Sequence, residues 1–281
     1  MYQISHSTTY TYDRPVTLSP HVIRLRPRSD VTQQLSQFSL SITPHPAGRS
    51  ENVDLEGNSV IRVWFQEVET TSLSIQTLCQ VETSRSNPFE YLLESWATEL
   101  PIDYPQSLYG QLQPYLRGQW GNGIDPIAMQ LAQEIWQEAA GNVLSFLHEL
   151  NQRIYRTCKY VVRETGAPFP AGMTWTQQVG SCRDMAVLFI EVCRSAGLAA
   201  RFVSGYQEGN GDLERHLHAW AEVYLPGAGW RGYDPTLGLA VADGHVAIVA
   251  CAGARDAAPV EGGVKGGGQG RLDYRLMIQR V

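Results

Sequence analysis

The chain has 281 residues, 43% hydrophobic and 18% charged, with a formal charge of −6 and a pI near 5.7. That length allows one or two domains with a real core, and the acidic balance argues against a nucleic-acid backbone as partner. The N-terminus, Met1-Tyr2-Gln3-Ile4-Ser5-His6, has no basic flank ahead of an apolar run, so no signal peptide is read. No segment approaches the ~18 consecutive apolar residues of a membrane helix. Cys79, Cys158, Cys182, Cys193 and Cys251 are odd in number and form no Cys-x-x-Cys pair. This fits free thiols in a reducing cytoplasm and weakens any structural zinc reading.

Residues 1–83 read as a β-sandwich. Tyr2, Ile4, His6, Thr8, Tyr10 and Tyr12 alternate with polar neighbours, the period-two mark of a strand with one buried face. Val22 to Leu25, Phe38 to Ile42, Val60 to Phe65 and Leu73 to Val81 repeat the theme, and Gly57-Asn58 marks a hairpin. Arg24-Leu25-Arg26-Pro27-Arg28 reads as a half-buried strand with a solvated face. His6, His21 and His45 have no partners at ligand spacing and read as packing or surface histidines. Residues 84–125 carry Pro88, Pro101, Pro105, Pro114, Gly110, Gly118, Gly121 and Gly123, and read as a connection with one short helix near Phe89 to Trp96.

Residues 126–281 form the second unit. Asp125-Pro126 starts a helix with Ile127, Leu131 and Ile135 on one face and Gly141 at its close. Asn142 caps a second with the stripe Val143, Leu147, Leu150, Ile154 and Cys158, and Lys159 to Arg163 suits a short strand. After a long loop from Glu164 to Gly180, Ser181 and Asp184 make a capping box. The helix that follows buries Met185, Phe189, Val192 and Ala196 and ends at Gly197; Cys193 on that stripe is a core thiol. Strands are expected at Ala199 to Tyr206, His216 to Leu225, Trp230 to Tyr233, His245 to Ala250 and Leu272 to Val281. The glycines from Gly262 to Gly270 lack the setting of a phosphate loop and read as a flexible loop.

The chemistry centres on Cys182. It opens a helix, where backbone N–H groups and the helix dipole favour a thiolate. Downstream come histidines, in His216-Leu217-His218-Ala219-Trp220, and then Asp234-Pro235. Nucleophile, base and orienting carboxylate is the set acyl transfer needs. His216 and His218, two apart on a strand, point the same way. His218, which leads directly into Ala219-Trp220, is taken as the base, and His216 as a neighbouring or surface residue. Two such histidines can also chelate a metal, a zinc site with Cys182 and Asp234 being the alternative, but no metal or cofactor is expected. An oxyanion needs two donors: the Cys182 N–H is one, with Trp175, Gln177 and Gln178 available for the second. Trp220, Trp230, Tyr206 and Tyr233 are candidate cleft walls.

Three separated blocks carry a resemblance: Gly180-Ser181-Cys182-Arg183-Asp184-Met185 with the helix after it, His218-Ala219-Trp220-Ala221-Glu222-Val223-Tyr224, and Tyr233-Asp234-Pro235-Thr236. They look like the bacterial transglutaminase-like cysteine protease family. Tyr2 to Tyr12, Arg24 to Arg28 and Asp54 to Asn58 resemble the β-domain that accompanies its core. The resemblance implies an α+β fold: the N-terminal sandwich, then a papain-like core with the nucleophile at a helix N-terminus packed on an antiparallel sheet. It also implies acyl-enzyme chemistry on a peptide or protein amide, with Cys182, His218 and Asp234 as the catalytic set. No Asp-x-Asp-x-Asp-Gly calcium loop is present. Hydrolysis is the expected outcome; transfer to an amine, or peptide binding by an idle site, are the alternatives. A thiol oxidoreductase would need a resolving cysteine nearby.

Overall fold

The structure, a computed structural model, describes residues 1–118, 123–163, 165–209 and 216–281. Gly121, among the expected breakers, and Glu164, at the start of the expected loop, lie outside the described residues. No described helix is long and apolar enough to cross a membrane.

The period-two region becomes strands β1 (Tyr2–Leu18), β2 (His21–Ile23), β3 (Gln33–Thr43), β4 (Gly48–Val53), β5 (Ser59–Trp64) and β6 (Glu69–Thr83). β1 buries Tyr2, Ile4, His6 and Thr8 as the alternation requires. β4 was not foreseen, because Gly48 to Val53 is polar and lies half or fully exposed at a sheet edge, with no apolar face to read. Arg24 to Arg28 keeps the alternating burial but is not a strand. Pro27 has no amide to give a ladder, and the Arg24 and Arg28 N–H groups donate instead to Pro259 and Ala247.

Helix α1 (Gln106–Leu116) follows the connection, in place of the helix expected at Phe89 to Trp96, where the chain makes only a short 3₁₀ turn at Ser95–Ala97. Gly110 and Pro114 lie within α1, but Leu108, Leu112, Tyr115 and Leu116 share one face against the core. That tertiary burial outweighs weak local propensity. Next come α2 (Pro126–Glu138), α3 (Val143–Thr157) and β7 (Lys159–Tyr160). Asp125 and Asn142 cap α2 and α3 as expected, accepting from the Ile127 and Ser145 amides at 2.9 Å each. Ile127 itself faces outward; Ala128, Leu131, Ala132 and Ile135 are buried. The expected loop contains α4 (Ala171–Gln177) before β8 (Val179–Gly180), which pairs in parallel with β7.

The centre is α5 (Cys182–Ser195), followed by β9 (Ala200–Gln207), β10 (His218–Leu225), β11 (Gly229–Asp234), β12 (Leu239–Ala240) and β13 (His245–Cys251). These strands form an antiparallel sheet in the order β12-β11-β10-β9-β13. α5 packs on β10 and β9, and α1 to α4 pack around it. It therefore buries not one stripe but nearly its whole circumference, Met185 through Cys193 included.

The last strands, β14 (Val260–Glu261), β15 (Val264–Lys265) and β16 (Gly270–Arg280), leave that unit. β14 pairs with β2, and β15 and β16 pair with β1, from Leu18↔Val264 to Tyr2↔Arg280. The divisions 1–83, 84–125 and 126–281 thus need correction: residues 260–280 complete the sandwich. Its two sheets, β3-β6-β1 with β15 and β16, and β4-β5-β2-β14, enclose Val16, Ile23, Ile61 and Leu73. The glycine run is a pair of turns, with Gly266 and Gly267 at φ 107° and 69°.

The sandwich grips the free edge of the core sheet through side-chain amides. Asn58 donates to the Ala250 carbonyl and accepts the Ala250 N–H, both at 2.9 Å. Gln33 does the same to Ala247, at 2.9 and 2.7 Å. His6 adds a buried contact to Tyr206 Oη at 3.0 Å, and burial pushes its pKa down to about 4. Asn58→Ala leaves the Ala250 amide and carbonyl without these partners. It is expected to cost about 2–4 kcal/mol in denaturant unfolding, against under about 0.5 kcal/mol for exposed Asn52→Ala. Equal effects would show that the edge is not held this way.

Candidate active site

Cys182 is the first residue of α5 and is buried at 7% exposure. Asp184, fully buried, anchors the turn that presents it. The Ser181 amide and hydroxyl donate to Asp184 Oδ2 at 2.7 and 2.8 Å. Its Oδ1 accepts from the Phe169 amide at 2.7 Å and Arg163 Nη2 at 2.9 Å. Arg183 donates to the Gly166 and Arg163 carbonyls at 2.9 and 2.6 Å. Arg163, Gly166 and Phe169 are thereby tied beside the thiol. The first amides of a helix have no intrahelical acceptor, so the Cys182 N–H faces outward with the positive end of the helix dipole.

His218 begins β10 and Asp234 ends β11. The register pairs Ala221 with Tyr233. One step further along, Asp234 lies a diagonal from His218, within reach of a long side chain. His218 Nε2 donates to Asp234 Oδ2 at 2.6 Å, and the Thr236 amide donates to Oδ1 at 2.9 Å. His245 was expected only as a strand residue. It brings its own Nε2 to the same Oδ2 at 3.1 Å, from β13. The signal for it was faint, a histidine eleven residues on and just past Asp243-Gly244.

Burial opposes the charge on His218 but is outweighed by the charge and hydrogen bond of Asp234, and then by those of Cys182, so its pKa is pushed up to about 10. Burial pushes Asp234 up too. The His218 charge and hydrogen bond, with those of His245, nonetheless hold it below the usual carboxylate range. Burial pushes Cys79 up to about 12 and Cys158 to about 11 and raises Cys193, and burial followed by the Glu56 and Asp256 charges raises Cys251.

Cys182 and His218 line one cavity of about 370 Å³. Tyr160 stands in it too, its hydroxyl pushed up to about 12 by burial and then by the Cys182 and Asp234 charges. His216 also lines it, but its Nδ1 is hydrogen-bonded to the Tyr274 hydroxyl, not to Asp234. The other expected residues sit elsewhere. Trp175 packs against the core, Gln177 and Gln178 are exposed at the end of α4, and none of the three lines the cavity. Trp220 is buried behind the histidines, its ring edge-on to His245 at 5.2 Å. Tyr206 bonds His6, Tyr233 stacks on Phe189, and Trp230 lies under Arg201, so the four aromatics proposed as cleft walls are packing residues. The donor atoms of His218, Asp234 and His245 lie within 4.8 Å of one another, the spacing of a metal site. Both imidazole nitrogens are, however, directed at one carboxylate oxygen at hydrogen-bond distance.

The shifts predict a pH signature. A histidine raised from about 6.5 to about 10 stabilises the fold fully below pH 6.5, and that contribution is lost as pH rises through 10. Asp234, depressed, contributes above its ordinary value of 3.8 and loses it only in acid. The Tm gap between wild type and His218→Ala should therefore be widest near pH 5–6.5 and shrink toward pH 10. A gap that stays constant or grows would rule the pairing out.

Both parts of the chain resemble known proteins. The model of the bacterial transglutaminase-like N-terminal region matches residues 2–82, and that of the transglutaminase-like superfamily matches residues 129–235. An uncharacterized protein of Mycobacterium leprae (strain TN) is 25% identical over 292 aligned positions, covering 99% of this chain and 98% of its own. One of Mycobacterium tuberculosis (strain ATCC 25618 / H37Rv) is 29% identical over 257, covering 84% and 78%. The crystal structure of a candidate cysteine protease from Cytophaga hutchinsonii shares the fold, with a TM-score of 0.75 at 22% identity over 100% of this chain and 91% of that one. A protein-glutamine gamma-glutamyltransferase of Pseudomonas aeruginosa is 28% identical over 192 positions, 61% of this chain but 27% of that protein. The sandwich is thus similar to the bacterial transglutaminase-like N-terminal region, and the segment holding Cys182, His218 and Asp234 is similar to the transglutaminase-like superfamily.

Proposed function

We propose that the protein is a cysteine-nucleophile amide or peptide hydrolase that works through an acyl-enzyme. The observation that carries this is His218, hydrogen-bonded to Asp234 at 2.6 Å and lining one cavity with Cys182. With Nε2 given to Asp234, the other ring nitrogen is left for Cys182 and the substrate. A histidine raised to about 10 is an imidazolium at neutral pH, and a neighbouring positive charge favours the thiolate form in which a cysteine attacks.

The thiolate attacks the amide carbonyl, and the Cys182 N–H donates to the oxygen as it becomes negative. The His218 imidazolium gives its proton to the nitrogen as the C–N bond breaks, leaving a thioester and a free amine. Neutral His218 then takes a proton from water, hydroxide adds to the thioester carbon, and the carboxylate product leaves as the thiolate re-forms. Asp234 stays ionised throughout and holds the ring. His245, on the same oxygen, holds Asp234. The match to a named gamma-glutamyltransferase favours a second reading with the same residues, in which an amine replaces water.

Alkylation by iodoacetamide tests the pair. Cys182 should react well below the free-thiol pKa of ~8.5, and His218→Ala should abolish that low-pH reactivity. Labelling no faster than Cys158 would mean no activated thiol and would favour an idle binding module. In turnover of a peptide amide, Cys182→Ala should lose essentially all activity with an unchanged circular dichroism spectrum, and an added primary amine separates the two acceptors by product mass.

A further inference from the structure

The cavity beside Cys182 is walled by both units of the chain. Thr8 and Tyr10 of β1 stand directly across from Tyr274 and Leu272 of β16 in the ladder, and all four line the cavity. The Tyr274 hydroxyl is hydrogen-bonded to His216, two residues ahead of His218. β16 is therefore at once a strand of the sandwich and a wall of the cavity that holds the thiol.

On one side β16 pairs with β1; on the other, among the described residues, it pairs with no strand. The ladder runs from Tyr2↔Arg280 to Tyr12↔Gly270 without a register shift, and β16 contains no proline. Two flanking bonds set its phase. The Val281 amide donates to the Met1 carbonyl at 3.0 Å, and the Asp13 amide to the Gln269 carbonyl at 3.1 Å. Bonded positions alternate along an antiparallel pair, so Arg271, Asp273 and Arg275 are the residues that bond β1. The amides and carbonyls of Leu272, Tyr274 and Leu276 point to the outer edge. Side chains alternate with the same period: the exposed Arg271, Asp273 and Arg275 lie on one face, and Leu272 and Tyr274 turn the other to the cavity. An open strand edge is commonly blunted by a bulge, a proline or a cover. β3, the other long edge of this sheet, carries a register shift between Leu35 and Gln37 and does not line the cavity. The edge at β13 is filled by Gln33 and Asn58. From Leu272 to Leu276, β16 keeps about 14 Å of regular edge, at ~3.4 Å per residue.

We infer that the substrate is an extended polypeptide, which adds as a strand to the outer edge of β16 at Leu272, Tyr274 and Leu276 and so brings an amide to Cys182. Strand addition draws affinity from main-chain hydrogen bonds and selectivity from alternate side chains. Continuity with the cavity identifies the occupant. An added strand lies about 4.8 Å beyond β16, and every second side chain of it falls on the Leu272 and Tyr274 face, which lines the cavity. This deepens the acyl-enzyme reading above and rests on it.

Hydrogen exchange read residue by residue on the full chain tests the inference, with Cys182→Ala so that a bound polypeptide stays uncut. In the free protein the amides of Arg271, Asp273 and Arg275 should exchange about a hundredfold more slowly than those of Leu272, Tyr274 and Leu276. Casein, an unfolded polypeptide, should slow the second set about tenfold. N-acetylglutamine amide, a single blocked residue with no strand to add, should not slow it. The inference is overturned if the second set is already slow in the free protein, if casein leaves it unchanged or protects only β3 or β4, or if the single blocked residue protects it equally. In any of those cases low-pH iodoacetamide labelling of wild-type Cys182 still upholds the nucleophile. Loss of that labelling removes the acyl-enzyme reading, whatever casein does at β16.

Discussion

Side-chain amides do the work of a neighbouring strand at the edge of the core sheet. Gln33 and Asn58, both from the sandwich, each exchange two hydrogen bonds with one residue of β13. A sheet edge presents unpaired amides and carbonyls, and burying them without partners is costly. The two carboxamides satisfy that edge and, in doing so, fix the sandwich against the core. The cavity exists because of this docking, since one of its walls is β1 and β16.

The same strand has a second task. β13 begins with His245 and reaches Ala247 and Ala250 within a few residues. One end of it reaches Asp234 Oδ2, and its outer edge accepts Gln33 and Asn58. The docking surface and the carboxylate that orients His218 are thus rigidly linked by a single strand. Asp234 is fully buried, and an ionised carboxylate survives there only because two imidazoles and an amide bond it. Asp184 is the counterpart on the nucleophile side: a buried carboxylate whose four hydrogen bonds hold the N-terminus of α5 to Arg163 and Phe169.

The expectations that held rest on local physics. Asp125 and Asn142 cap their helices because a short acceptor side chain meets amides two or three residues on, whatever surrounds it. α5 was readable from Ser181, Asp184 and its apolar run, and β1 from its alternation. Those that failed needed distant residues. Gly110 and Pro114 argued against a helix that core contacts nevertheless form. Trp220, Trp230, Tyr206 and Tyr233 carry the composition of a cleft wall, but their burial is decided by what packs over the sheet.

The sequence by itself determined the start of α5 with Cys182 as its first residue, the β character of the first 83 positions, and the order of thiol, imidazole and carboxylate along the chain, because caps and periodicities act over a few residues. Tertiary structure alone decided that β16 pairs with β1, that His218 meets Asp234 while His216 meets Tyr274, that His245 shares the Asp234 oxygen, and that the sandwich walls the cavity. Strand pairing and the convergence of side chains from opposite ends of the chain depend on long-range registry, and no local pattern encodes which partner a strand or an imidazole will find.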